Sequence, residues 1–200
     1  MTLDLQGEYA DRAFPILSSL IVPRPIAWVT TLNENGAVNA APFSFFGVFG
    51  SRPPLVILTV GNRPEGGPKD TARNAERTGE FVVHTVDEPL AGAMVATAAA
   101  LPYGESETEA TGLATAPSRK VAVPRLAAAP AAFECRVHSI QQIGQNRLIL
   151  GTVVSLEVRD DLFDPAARRV RQENYHPVGR LGPPDWYCRC GDRFEIKRPR

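Results

Sequence analysis

Two hundred residues, 44% hydrophobic and 22% charged, are enough for one sizeable domain with its own core. Acidic and basic side chains balance, 22 against 22, which excludes a strong overall field aimed at nucleic acid, an anionic membrane or an acidic partner. No apolar run has the length that spans a bilayer, and the opening MTLDLQGEYADRAF carries acids where a secretory leader carries bases, so a cytoplasmic location is expected.

The strongly periodic segments are strand-like. IAWVTTL (26–32) is β-branched and aromatic, the Asn35-Gly36 pair reads as a tight turn, and AVNAAPFSFF returns from it, which predicts a β-hairpin. Pro42 has no N–H to give a ladder, so a central strand is not expected there. The FFGVFG half of this run (45–50) reads as packing and a turn. PLVILTV (54–60) is a short apolar run of buried-strand type, and GNRPEGGP (61–68) is a loop by composition.

KDTARNAERTG then predicts a helix capped by Asp70 and stopped by Gly79. EFVVHTV (80–86) is a further strand, and Pro89 opens an alanine-rich helix. The polar stretch from 101 to 118 reads as a surface excursion. AFECRVHSIQQIG alternates, with Phe133, Cys135 and Val137 on one face and Glu134, Arg136 and His138 on the other. RLILGTVVSLEV (147–158) is its partner strand, and the chain beyond Asp160 is irregular and rich in proline and glycine. Strands joined mostly by short turns predict a mainly β fold, an antiparallel barrel with a few helices packed outside, over one domain spanning 1–200.

Motifs for dinucleotide-binding Rossmann loops, P-loops, nucleophile elbows and zinc-binding helices are all absent. His84, His138 and His176 fall on separate elements, so no metal site is expected. Cys188 and Cys190 stand in a C-x-C, a spacing that rarely bridges within one strand, and Cys135 reads as a small buried hydrophobe.

Three segments carry chemical information. In VPRPIAWVTT, prolines flank Arg24 and fix its backbone, so it is either an oriented cation or an exposed arginine at a strand entrance. NAAPFS offers a hydroxyl, freed backbone groups and aromatic surface, which suits either core packing or a slot for a planar heterocycle. KDTARN places Lys69 and Thr71 where a helix begins, a place that attracts phosphate unless Asp70 occupies the same donors as a cap.

Taken in order, IVPRPIAWVTT, AVNAAPFSFF, PPLVILTV, KDTARNAERTGEFVVHTV, FECRVHSIQQIG, LILGTVVSLEV and RLG…WY resemble the flavin reductase-like, FMN-binding split-barrel family, in its flavoredoxin and nitrilotriacetate-monooxygenase-component-B branch. The resemblance implies a homodimer with one FMN per subunit, reduced by NADH or NADPH through hydride transfer to flavin N5, and feeding reduced flavin to a monooxygenase. It further implies that Trp28, Thr30 and Thr31 lie along the flavin, and that Asn39, Ala40, Ala41, Pro42, Phe43 and Ser44 meet the ring and ribityl chain. Lys69, Asp70, Thr71 and Asn74 would stand beside the phosphate, Arg24 would add a phosphate or ring contact, and Arg180 and Tyr187 would close the site. No catalytic acid or base is implied. Arg180-Leu181-Gly182-Pro183 departs from the family's RLGG, and the WYCRC end has no counterpart in the pattern. Two other readings stay open: an FMN protein that reduces a quinone or organic acceptor, and a flavin- or tetrapyrrole-binding module without turnover.

Overall fold

Asn35 and Gly36 make the turn that the sequence announces, with Gly36 at φ 85°, the left-handed region that glycine adopts without a steric penalty. The computed structural model describes residues 1–199. Helix α1 (Ala13–Leu20) leads into the short strand β1 (Arg24–Pro25), and the hairpin strands β2 (Ala27–Leu32) and β3 (Val38–Phe43) follow. Next come β4 (Phe46–Ser51), β5 (Pro54–Gly61), α2 (Asp70–Thr78), β6 (Glu80–His84), α3 (Glu88–Ala96) and α4 (Glu107–Thr111). A minor pair, β7 (Thr115–Ala116) and β8 (Arg125–Leu126), precedes the long hairpin β9 (Ala131–Ile143) and β10 (Asn146–Val158). The chain ends with the pair β11 (Phe163–Asp164) and β12 (Arg169–Val170), then β13 (Val178–Arg180) and β14 (Tyr187–Arg189).

Seven strands form one antiparallel sheet in the order β3-β2-β6-β9-β10-β5-β4. The sheet rolls until β3 approaches β5, while β1, β13 and β14 form a small sheet of their own. Mainly β architecture with outlying helices is therefore as expected. The WYCRC segment, unmapped in the sequence, is the strand β14 returning along β13.

Two local expectations are corrected, and a third holds. The 46–51 segment is a strand paired with β5, with a register shift between Val48 and Gly50, because glycine and phenylalanine hide the two-residue period there. Pro42, as expected, is not on a central strand: it lies in β3, an edge strand, whose pairing with β2 it does not interrupt. Asp70 is the first helical residue, with Lys69 at the cap position in extended backbone and no side chain capping α2. Gly79 ends that helix as predicted, at φ 69° with its N–H on the Ala75 carbonyl.

The core lies inside the rolled sheet, where Val29, Leu58, Val60, Phe81, Val83, Cys135 and Ile149 are packed under Ala72 and Ala75 of α2. Each such large side chain contributes about 1.5–3 kcal/mol by leaving water. Gly151 sits at a register shift between β9 and β10, where any Cβ would collide with the Phe81 ring. Burial pushes the Cys135 thiol pKa up, so this cysteine packs and does not ionise.

His84 ties three elements together. Its Nδ1–H donates to the Trp28 carbonyl at 2.8 Å, and its Nε2 accepts the Leu126 N–H at 2.9 Å. A second proton would face that N–H, and complete burial lowers the pKa from 6.5 to about 4. The unfolded chain therefore takes up a proton near pH 6.5 that the folded chain refuses until about pH 4. Stability from this group is present above pH 6.5 and is lost as pH falls through about 4, a span worth ~3 kcal/mol. Urea midpoints should fall across that window, and His84→Gln should be less stable at neutral pH but show a shallower fall. An unchanged pH slope in the variant would assign the effect to other groups.

Candidate functional site

The outer edge of β3 is covered only in part. The Val38 carbonyl accepts the Ser106 hydroxyl at 2.7 Å, and the Ala40 N–H donates to Glu107 Oε2 at 2.9 Å, both from the start of α4. The period of two turns Pro42 the same outward way as Val38 and Ala40, so its missing N–H costs no bond to β2. Beyond Ala40 the edge is open, and a cleft of about 360 Å³ begins there. Its walls are Asn39, Ala41, Pro42 and Phe43 of β3, the start of α2, and the segment from Thr97 to Leu101 that follows α3.

At the α2 end, Lys69, Asp70 and Thr71 line the cleft, and Lys69 Nζ stands 6.0 Å from the centre of the Phe43 ring. Asp70 does not compete for the helix N–H groups. Its Oδ2 accepts from Arg63 Nη2 at 3.1 Å, and Arg63 also donates to the Leu101 carbonyl at 3.0 Å while stacking 3.6 Å from the Tyr103 ring centre. Burial raises the pKa of Asp70, and Arg63 opposes that rise. Burial also raises the pKa of Glu107, with the Ala40 N–H holding it down and the neighbouring Asp70 charge pushing it further up.

Behind the cleft, amide and hydroxyl groups lock β2, β3 and α2 together. Asn39 Nδ2 donates to Thr31 Oγ1 at 3.0 Å and to Thr71 Oγ1 at 3.1 Å. Asn74 Nδ2 donates to the same Thr31 oxygen at 3.0 Å and to Asn33 Oδ1 at 2.7 Å. A second cleft, of about 260 Å³, shares Pro42, Phe43 and Ala98 with the first and adds Ser44, Arg180 and Tyr187.

Thus the fold gathers Asn39, Ala41, Pro42, Phe43, Ser44, Lys69, Asp70, Thr71, Arg180 and Tyr187 around two adjoining clefts. It does not bring the other expected contacts to either of them. The Trp28 indole is fully buried under α3 and donates to Thr97 Oγ1, and Thr30 donates to the Pro124 carbonyl. Thr31 and Asn74 are consumed by the network behind the wall, and Ala40 is fully buried. Arg24 spends its nitrogens on the Ser18, Ile21 and Leu181 carbonyls and on Ser44 Oγ, which leaves it no reach to the α2 end. The side chains of these residues tie the walls to the elements behind them and do not line either cleft. The sequence reading missed Arg63, Glu107 and the 97–101 wall. Arg63 and Glu107 fall in polar stretches where composition says loop, and the path of those loops alone brings them here.

A family model described as "Flavin reductase like domain" matches residues 18–176. The chain belongs to the flavin reductase-like family. It is 43% identical over 192 residues to the uncharacterized protein BH2278 of Halalkalibacterium halodurans, covering 93% of this chain and 90% of that one. Among solved structures it is similar to the 2-nitrobenzoate 2-nitroreductase NbaA of Pseudomonas fluorescens, with 36% identity, a TM-score of 0.90, and coverage of 100% of this chain and 96% of that one. It is equally similar in shape to nitrilotriacetate monooxygenase component B of Bacillus cereus, with 32% identity, a TM-score of 0.90 and coverage of 98% of both chains. The rolled, unclosed sheet is the split-barrel fold of this family. No helix among the described residues is long and apolar enough to cross a membrane.

The buried amide network yields a prediction that is independent of any ligand. Asn74→Ala removes two donors and strands Asn33 Oδ1 without a partner, which should cost ~2 kcal/mol of stability in urea unfolding.

Proposed function

We propose that this chain is an FMN-dependent oxidoreductase of 1–200 as one domain, which draws electrons from NADH or NADPH and passes them to free flavin for a separate monooxygenase. The observation that carries the reading is one cleft with a phosphate-type end and a ring-type end. Lys69, Thr71 and the uncapped first turn of α2 stand at one end, and the open edge of β3 with Phe43 stands at the other. Its volume of about 360 Å³ lies in the usual range for small-molecule sites. Family membership and the likeness to a monooxygenase component B support the same reading.

The residues present fit FMN. Lys69, Thr71 and the free N–H groups of α2 hold the phosphate, where the helix dipole favours negative charge. Asn39, Ala41, Pro42, Phe43 and Ser44 lie along the ring and ribityl chain. Phe43 and the 98–101 wall exclude water from one side. Asp70 serves indirectly, by fixing Arg63 across the cleft mouth. When bound, FMN supplies the hydride acceptor and electron carrier that no protein side chain provides. The chain contributes position: a wall held by the Asn39–Thr31–Asn74 network keeps the reacting partners in register, which is where rate comes from in such transfers.

A second reading, direct reduction of an organic acceptor, is favoured by the second cleft, which gives a substrate room beside the same β3 residues, and by the likeness to a nitroreductase.

The homodimer belongs to this proposal too. Phe14, Leu20 and Ile21 around α1 and Val48 and Phe49 on β4 are 62–84% exposed, and the Phe14 ring lies 5.4 Å from that of Phe45. So large an apolar face on an edge strand is a surface that a second copy covers.

The purified protein should be yellow and should bleach when NADH or NADPH is added without oxygen, with colour returning on addition of free FMN. A coloured protein that neither nucleotide bleaches would sink the reductase reading and leave a binding module. Lys69→Ala should weaken FMN by about tenfold and riboflavin by less than about threefold, since only FMN carries the phosphate. Equal losses would remove Lys69 from the phosphate end. Phe49→Glu should run at the mass of one chain in light scattering where the native protein runs at two.

A further inference from the structure

Beyond Tyr187, the end of the small sheet takes no part in either cleft, yet it carries two of the chain's three cysteines. Cys188 pairs with Gly179 across β13 and β14, and the Cys190 N–H continues that ladder onto the Pro177 carbonyl at 3.2 Å. Two residues apart on one extended run, both side chains leave the same face. A Cβ on Gly179 would come within 3.2 Å of Cys188 Sγ and 3.0 Å of Pro23 Cβ, so the sulfur occupies space that glycine leaves free. Cys190, Pro23 and Gly179 in turn line a third cleft, of about 340 Å³, together with Phe46, Thr85 and Val86 of the barrel. Burial raises the Cys190 pKa, and the adjoining Cys188 thiol raises it further, which puts the two sulfurs side by side. Both are free and half-buried, so a small solute reaches them.

The strand itself decides what such a pair can do. A disulfide needs Cβ atoms about 3.5–4.5 Å apart. Alternate residues of a strand stand about 6.5–7 Å apart, and the ladder to β13 holds this pair at that spacing through both residues. Zinc is held by three or four protein ligands. Among the described residues, no group of three or more His, Cys, Asp or Glu side chains gathers to supply them. A soft cation content with two thiolates meets neither obstacle. It lies between the sulfurs, so it spans a gap too wide for an S–S bond, and thiolate is the donor that ions such as Cu(I) select.

We propose that Cys188 and Cys190 form a two-thiolate site for a soft, low-coordinate cation of the Cu(I) type, at the rim of the third cleft. The ion displaces both thiol protons to solvent and forms two metal–sulfur bonds, with no change in oxidation state. A filled site with a monovalent ion therefore carries one net negative charge. The site uses no residue of the first two clefts and depends on neither flavin nor reductase activity.

The test titrates the full chain, reduced and without oxygen, with Cu(I) supplied as its acetonitrile complex against the coloured Cu(I) chelator bathocuproine disulfonate. The native chain should withhold one Cu(I) per chain from the chelator, and Zn(II) titrated against its own indicator should not be retained. Loss of an outer partner costs a metal site roughly 10–100-fold, so Cys188→Ser or Cys190→Ser, each removing one of only two ligands, should cost at least about a hundredfold in Cu(I) affinity. Either variant decides the matter if the other does not fold. A native chain that yields all its Cu(I), a serine variant that withholds it as well as the native chain does, or equal retention of Zn(II) would overturn the proposal. So would a Cys188–Cys190 disulfide formed on exposure to glutathione disulfide and seen by mass, because the sulfurs would then meet without an ion between them. Retention should be the same with and without saturating FMN, and a dependence on FMN would place the ion at the flavin instead.

Discussion

The open outer edge of β3 is the constraint on which the rest of the site depends. An edge strand must give its outward groups to something, and a long bare edge is a hazard in water. Here α4 covers the first half, through Ser106 on the Val38 carbonyl and Glu107 on the Ala40 N–H. Pro42 ends the need for donors in the second half. What remains is a short stretch of strand that no other strand can extend but that a ligand can lie along. Both clefts share this stretch through Pro42 and Phe43.

Keeping such an edge in place requires rigidity behind it, and the protein obtains it from buried polar groups. Thr31 accepts from both Asn39 and Asn74, so β2, β3 and α2 cannot slide past one another without breaking bonds in a water-free space. The same device recurs at Glu134, which is fully buried and whose two oxygens accept the backbone N–H groups of Arg119 and Lys120 at 2.9 and 2.6 Å. A carboxylate used this way pins a loop onto the sheet. None of these groups needs to titrate for the proposed chemistry, which fits a site whose contribution is placement.

Elements announced by local physics were legible in the sequence: the Asn35-Gly36 hairpin, the helix stop at Gly79, the proline-led helix α3 and the long β9–β10 hairpin. Of the ten cleft residues foreseen, those of NAAPFS and KDT come from runs whose chemistry is written in neighbouring residues, and Arg180 and Tyr187 come from the family resemblance alone. What was hidden depends on chain paths. Glu134 alternates onto the face expected to be polar, yet a loop folds over it, and no periodicity reports that. The family resemblance places Trp28 and Thr30 along a flavin, whereas their side chains face the side of β2 that α3 and the 124 loop fill. β4 escaped notice because Gly47 and Gly50 break the alternation on which strand reading relies.

The arginines show how one residue type divides into separate tasks by surroundings alone. Arg63 has Asp70 as its partner and closes one end of the first cleft as a neutral unit. Arg24 has only carbonyls and a hydroxyl as partners, so it is a structural tie between α1, β1 and the 181 turn. Arg180 lines the second cleft, its Nη2 held by the Pro184 carbonyl and by Asp185. The first cleft thus has its cations balanced by acids except at Lys69, and the second is lined by one cation, Arg180, and its partner acid, Asp185. Two clefts with a common wall can hold two ligands side by side. Under the proposed reading, electrons then have only the thickness of one ligand contact to cross.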